Sequence, residues 1–227
     1  MFSNATMSYS KKELYGGALT CDIPTSWRDV SQVRQVPDHQ EVFQNCSSTN
    51  SHHSNDENIP FKGACLIFEI LEHQTEVSNQ EACSFFFNDL ADANGTPEQK
   101  SRVLTKEEVV RLGHDLTQKK DEGFWLRLCE HFKNVPNITV CLCTGKQLVV
   151  GAGMRESDPR AKNRKQWVKV EMCIFRLKDI QTEIIISISI PTDKEDEIMS
   201  SEPHLDYSSV FKNIISSFQV VDWSLFA

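Results

Sequence analysis

Along this chain the apolar positions gather into short alternating or continuous runs more often than into stripes at helical spacing, so strands should outnumber helices. The strongest run is ACLIFEILEHQ, Ala64 to Gln74, nearly continuous in apolar residues and bounded by Gly63. GGALTCDIP, Gly16 to Pro24, alternates loosely and ends on proline, and QEVFQNC reads as a further short strand. Later, QWVKVEMCIFRL alternates and TEIIISISIP is a β-branched run, while ITVCLCTGKQLVVGAG predicts a hairpin turned at Thr144-Gly145.

Helical patterns are fewer. SNQEACSFFFNDLADANG opens with Ser78 and carries Glu81 three residues on, a capping box, and stops at Asn94-Gly95. Residues 97–135 are charged and helical in pattern. TKEEVVRLGHDL starts at Thr105 with a Glu three residues later, and EGFWLRLCEHF sets Phe124, Leu128 and Phe132 at intervals of four. A last amphipathic helix spans roughly His204 to Phe218, ahead of QVVDWSLFA. Three successive strands in residues 138–190 with short links favour an antiparallel sheet with helices packed on it, an α+β arrangement. The expected organisation is one domain over 1–227, with a flexible leader at 1–12 and a helical insertion at 97–135.

At 227 residues and 39% hydrophobic content the chain can bury a sizeable core. No stretch approaches the length of a membrane helix, and the start lacks the apolar centre of a signal peptide, so a cytosolic or nuclear setting is expected. The eight cysteines then read mainly as small buried hydrophobes. Cys141-x-Cys143 puts two thiols on one strand face without a second pair at zinc spacing, and strand packing explains it.

Charge changes the picture more. The net charge is −8, and residues 1–100 hold 6 Lys and Arg against 14 Asp and Glu, whereas 101–227 hold 18 against 18. The acidic first half disfavours a nucleic acid target and would attract a basic protein surface. Signatures of common enzymes are missing: there is no G-x-S-x-G, phosphate loop or H-E-x-x-H. A dispersed acid–base pair of His39 with Asp38 or Glu41 stands as the catalytic alternative.

Two carboxylates inside the strong strand require an account. On strict alternation Cys65, Ile67, Glu69 and Leu71 share one face, and Leu66, Phe68, Ile70 and Glu72 the other. A buried unpaired carboxylate is costly, so Glu69 must be paired, hydrogen-bonded or open to solvent. Both glutamates serve one surface only if Glu72 lies past the strand end or a bulge intervenes. In VSQVRQVPDHQEVF, Pro37 pushes Val36 towards extended geometry, Gln40 and Val42 share one strand face, and Glu41 and Phe43 share the other. Asp38 can cap the bend through its side chain, whereas the nearby Arg34, His39 and Glu41 point to a polar network or a binding edge.

These residues resemble the Mog-type Ran guanine nucleotide release factors. The likeness begins at LYGGALTCDIP and runs through DVSQVRQVPDHQEVF, where Asp29, Ser31, Arg34, Val36, Pro37, Asp38, Gln40, Glu41 and Val42 match the family signature. It resumes at LIFEILE, FFFNDL and FRLKDIQTEIIISISIP, and at the tail VVDWSLFA. The resemblance implies a single antiparallel sheet of about six strands flanked by helices, similar to the PsbP family. It also implies a partner, a Ran-type small GTPase, whose nucleotide the protein helps release in support of nuclear import. The implied contact residues are Asp38, Glu41, Glu69 and Glu72, with Arg34 and Gln40 beside them. Neither metal nor cofactor nor catalysis of covalent chemistry is implied, and the expected form is a monomer of nucleus and cytoplasm that contacts neither membrane nor nucleic acid. The family usually has His and Glu in the segment matching Phe86 and Asn88, which removes an imidazole and a charge near the expected surface. Two other readings remain open: a small-molecule or hydrolytic domain built on His39, and a second docking site on the 97–135 helices if Trp125, Leu128 and Phe132 are exposed.

Overall fold

The computed structural model describes residues 7–33, 35–45, 63–96, 102–112, 122–150, 165–192 and 206–226. A seven-stranded antiparallel sheet is built from β3 (Trp27–Asp29), β4 (Gln40–Asn45), β5 (Cys65–Glu72), β6 (Arg102–Arg111), β7 (Ile138–Val150), β8 (Lys165–Leu177) and β9 (Thr182–Thr192), in spatial order β3-β4-β5-β9-β8-β7-β6. A smaller sheet joins β1 (Tyr9–Leu14), β2 (Leu19–Pro24) and β10 (Gln219–Val220) in the order β1-β2-β10. The expected α+β class and antiparallel pairing hold, with the main sheet one strand larger than the six anticipated and a second sheet packed on it.

Both faces of the main sheet are covered, which is why its central strands are apolar without a break. In β9, Ile184, Ile186 and Ile188 enter one core while Ile185 enters the other. The larger core lies under α2 (Glu122–His131), α3 (Tyr207–Ser217) and the small sheet. Here Phe68, Phe132, Phe175 and Phe218 pack ring against ring with centroids 5.2 to 6.4 Å apart. The other face is covered by α1 (Ala82–Ala93), whose Cys83 and Phe86 pack on Cys141, Cys143, Met172 and Ile174. Cys141 and Cys143 therefore share a face, as their spacing predicts, and the seven described cysteines are free thiols.

The helices follow their sequence signals closely. Ser78 and Glu81 form the reciprocal box: each backbone N–H donates to the other side chain, at 3.3 Å, and the Ser78 hydroxyl, donating to Glu81 Oε2 at 2.7 Å, together with the Ser78 N–H holds the exposed Glu81 carboxyl below its usual range. The helix itself starts one residue after Glu81. Asp206 caps α3 through Ser209 N–H at 3.2 Å. Phe124, Leu128 and Phe132 of the EGFWLRLCEHF stretch, with Trp125, are all buried against the sheet. That burial rules out the second docking site conditioned on their exposure. In α3, Ile214 is fully buried, and Ile214→Ala should cost about 2–5 kcal/mol.

Three expectations are corrected. The helix expected from Thr105 is strand β6 as far as Arg111, and residues 113–116 of that stretch lie outside the described residues. It lies at the sheet edge with one neighbour, and its charges, Lys106, Glu107, Glu108 and Arg111, are those of a blunted edge strand, which carry no clean strand period. Pairing with β7 decides its state, and Thr105 spends its hydroxyl on Thr144 O at 2.9 Å instead of capping a helix. Nor is Thr144-Gly145 a turn: β7 runs unbroken through it. A Cβ on Gly145 would lie 2.5 Å from the Phe87 ring, so glycine is required for close approach of α1. Finally, Tyr9 to Lys12 belong to β1 and pair with Pro24 to Cys21, which takes them out of the flexible leader.

Candidate partner-binding surface

The site starts from a left-handed turn. Tyr15, Gly16 and Gly17 have φ of 49°, 66° and 95°, a conformation glycine tolerates and tyrosine rarely adopts. Tyr15 is held there from three sides. Its backbone N–H donates to Glu41 Oε1 at 2.8 Å, and its hydroxyl shares its single proton between His39 O and Phe68 O, both at 2.9 Å. Burial, and then the negative charges of Glu41 and Glu69, push the phenol pKa up, keeping the hydroxyl a donor. The LYGG turn is thereby fastened to the first residues of β4 and the middle of β5.

The Pro37 bend is the second component. Gln40 N–H donates to Pro37 O at 2.9 Å, and Ile70 N–H donates to His39 O at 3.0 Å, so the bend closes onto β5 as the strand begins. Gln40 stands opposite Glu69 in the ladder, and its amide donates to Glu69 Oε1 at 2.7 Å. His39 Nε2 lies 3.5 Å from the same oxygen, with its side chain 51% exposed and that of Glu69 24% exposed. His39, Gln40 and Glu69 thus make one open polar group at the edge of the sheet's α1 face.

The other expected residues divide. Asp38 is exposed in the bend. Glu41 pairs with Phe68, on the opposite face from Glu69, and its carboxylate is committed to the Tyr15 turn. Glu72 is exposed at the end of β5, opposite Thr182. The β5–β9 register is continuous through Glu72, so no bulge brings it to the Glu69 face. The two glutamates share an end of the sheet, not a face. Arg34 lies outside the described residues. Phe86 is buried beneath α1 and so does not approach the surface, whereas Asn88 is exposed.

Sequence reasoning left Tyr15 without a role; its two following glycines were the available signal. It also left unassigned the buried set behind the site. Glu183, fully buried, accepts from Arg176 Nε at 3.1 Å, and Arg176 also donates to Asn79 Oδ1 and Gln74 O. His73 Nδ1 lies 2.9 Å from Glu183 Oε1.

An antiparallel sheet covered on both faces, with the His39, Gln40 and Glu69 group open at one end, defines an α+β domain. The sequence profile described as "Ran-interacting Mog1 protein" matches residues 12–191, and the chain belongs to this family. Among its relatives, the Ran guanine nucleotide release factor of Danio rerio is 29% identical over 181 residues, covering 79% of this chain and 77% of the relative. The nuclear import protein MOG1 of Saccharomyces cerevisiae is 26% identical over 227 residues, covering 98% and 87%. The crystal structure of the Saccharomyces cerevisiae Ran-binding protein MOG1P superposes with a TM-score of 0.61 at 26% identity, covering 98% of this chain and all of that one.

Proposed function

We propose that this protein binds a Ran-type small GTPase and promotes release of its guanine nucleotide, in support of nuclear import. The observation that carries this reading is the family match over residues 12–191. The open Glu69 group supports it, because a carboxylate held by Gln40 and His39 yet reachable by solvent suits a basic partner side chain. The docking face comprises Glu69, Gln40 and His39, with Asp38 in the bend and Glu72 at the strand end. Glu41 acts through the Tyr15 turn as a positioning residue. Arg34 belongs to the same signature stretch.

Binding releases nucleotide only if the GTPase state with a loosened pocket is bound more tightly than the closed state. The acidic face speeds encounter and fixes register. The protein is then a regulator rather than a catalyst of covalent chemistry, and acts in nucleus and cytoplasm as a monomer. The hydrolytic alternative on His39 is disfavoured by the exposure of that imidazole on an open face, whereas a ligand site is concave. The test is release of fluorescent GTP and GDP from separately loaded Ran with this protein added. Faster release of either nucleotide is the expected result; unchanged release of both, with no binding in a parallel titration, would overturn the reading.

A further inference from the structure

Three histidines lie among the described residues, and their surroundings differ. His73 has a nearly buried side chain set against Glu183. His131 is engaged at both ring nitrogens, with Nδ1 3.0 Å from Phe218 O and Nε2 3.1 Å from the Gln219 amide nitrogen. His39 is neither sealed nor engaged: its side chain is half exposed, and among the described residues no hydrogen bond holds its ring. Solvent can therefore protonate this imidazole near neutrality without breaking an internal contact.

The ring stands where such a charge matters. Its Nε2 lies 3.5 Å from Glu69 Oε1, beyond a good N–H···O hydrogen bond, so the neutral ring contributes little there and the protonated ring forms an ion pair. Gln40 Nε2, 2.7 Å from the same oxygen, keeps the carboxylate beside the ring in both states. No other cation among the described residues pairs with Glu69. The neighbouring titratable groups are otherwise disposed. Glu41 of β4 is committed to the Tyr15 N–H, Tyr15 is kept a neutral phenol, Asp38 is exposed in the bend, and Glu72 is exposed at the end of β5. A partner that covers His39 and Glu69 removes water from between their charges and makes the choice of Glu69 between imidazolium and partner sharper.

We propose that His39 is a proton-operated gate on the docking face. Neutral, it leaves Glu69 to a basic side chain of the partner; protonated, it pairs with Glu69 itself and repels that side chain, so partner binding weakens on acidification. This inference rests on the recognition of a Ran-type GTPase through Glu69.

The test is titration against Ran in one loaded state, at about pH 7.5 and about pH 5.8, on the two sides of the ordinary imidazole range. The parent, His39→Gln and His39→Lys are compared, each shown to be folded by its melting temperature at both pH values. Glutamine carries no charge at either pH and lysine carries one at both, while titration of Ran and of His73 is common to all three. On acidification the parent should lose affinity by a factor at least about threefold larger than either variant does, within the scale of one exposed ion pair. His39→Lys should bind more weakly than His39→Gln at both pH values. The gate is overturned if parent and His39→Gln lose affinity by the same factor, or if the lysine variant binds as tightly as the glutamine variant. A parent that binds Ran at neither pH would overturn the recognition reading itself, and the gate with it.

Discussion

Glu69 and Glu183 lie on the same face of neighbouring strands, one ladder step of two residues apart: Glu69 pairs with Ile185, and Glu183 with Leu71. Their surroundings are opposite. Glu183 is sealed beneath the loop that precedes α1 and is matched by Arg176; Glu69 is part-exposed and, among the described residues, is matched by an amide and a half-exposed imidazole. A carboxylate on a sheet is therefore structural or available according to what covers it, although its strand position and chemistry are the same. Covering commits the carboxylate to a partner within the protein, while an open edge leaves part of its bonding capacity to solvent or a second molecule.

The comparison is broken most severely at Arg176. Arg176→Met should destabilise the fold by about 3–5 kcal/mol, read from the denaturation midpoint, since it leaves Glu183 buried and uncompensated. A loss no larger than that of an exposed substitution would mean that water reaches Glu183 and that the two carboxylates are alike. Next is the clamp that positions the open site. Tyr15→Phe removes a donor shared by His39 O and Phe68 O and should cost about 1–3 kcal/mol, with partner binding weakened as the bend loosens.

The smallest effect concerns pH. Burial first, and then Arg176 and Lys178, hold the His73 pKa below the ordinary imidazole value of 6.5. A group depressed in the fold contributes stability that is present above its unfolded pKa and is lost as pH falls through its folded value. Glu183 has the opposite sign: burial outweighs Arg176 and raises its pKa, so its contribution is complete below the ordinary carboxylate value and is lost as pH rises through its folded value. Stability should thus decline on acidification below pH 6.5 through His73, and His73→Gln should flatten that decline in melting temperature measured across the window. An unchanged slope in the variant would assign the titration to another group.

Much of this was legible in the sequence where burial is two-sided or a cap is local. The isoleucine run of β9, the Ser78–Glu81 box, and the spacing of Phe124, Leu128 and Phe132 all state their structure within a few residues. The edge strand β6 does not, because with a single neighbour it keeps exposed charges that mimic a helix surface. Gly145 reads as a turn because the ring of Phe87, which excludes a side chain there, comes from a distant helix. The division of the expected site was half legible: alternation separates Glu69 from Glu72, whereas the separation of Glu41 from Glu69 needs the β4–β5 register. The tie of Glu41 to Tyr15, across 26 residues, and of Tyr15 to Phe68, across 53, depends on strand pairing that no local pattern encodes.

The central claim is that Glu69 is held ready for a partner and is dispensable to the fold. Charge reversal by Glu69→Lys, followed by thermal unfolding and titration against Ran in one preparation, tests it most directly. The expected result is a stability within about 0.5 kcal/mol of the parent together with an affinity for Ran at least about tenfold weaker. A folded Glu69→Lys protein that binds Ran as tightly as the parent would contradict the account.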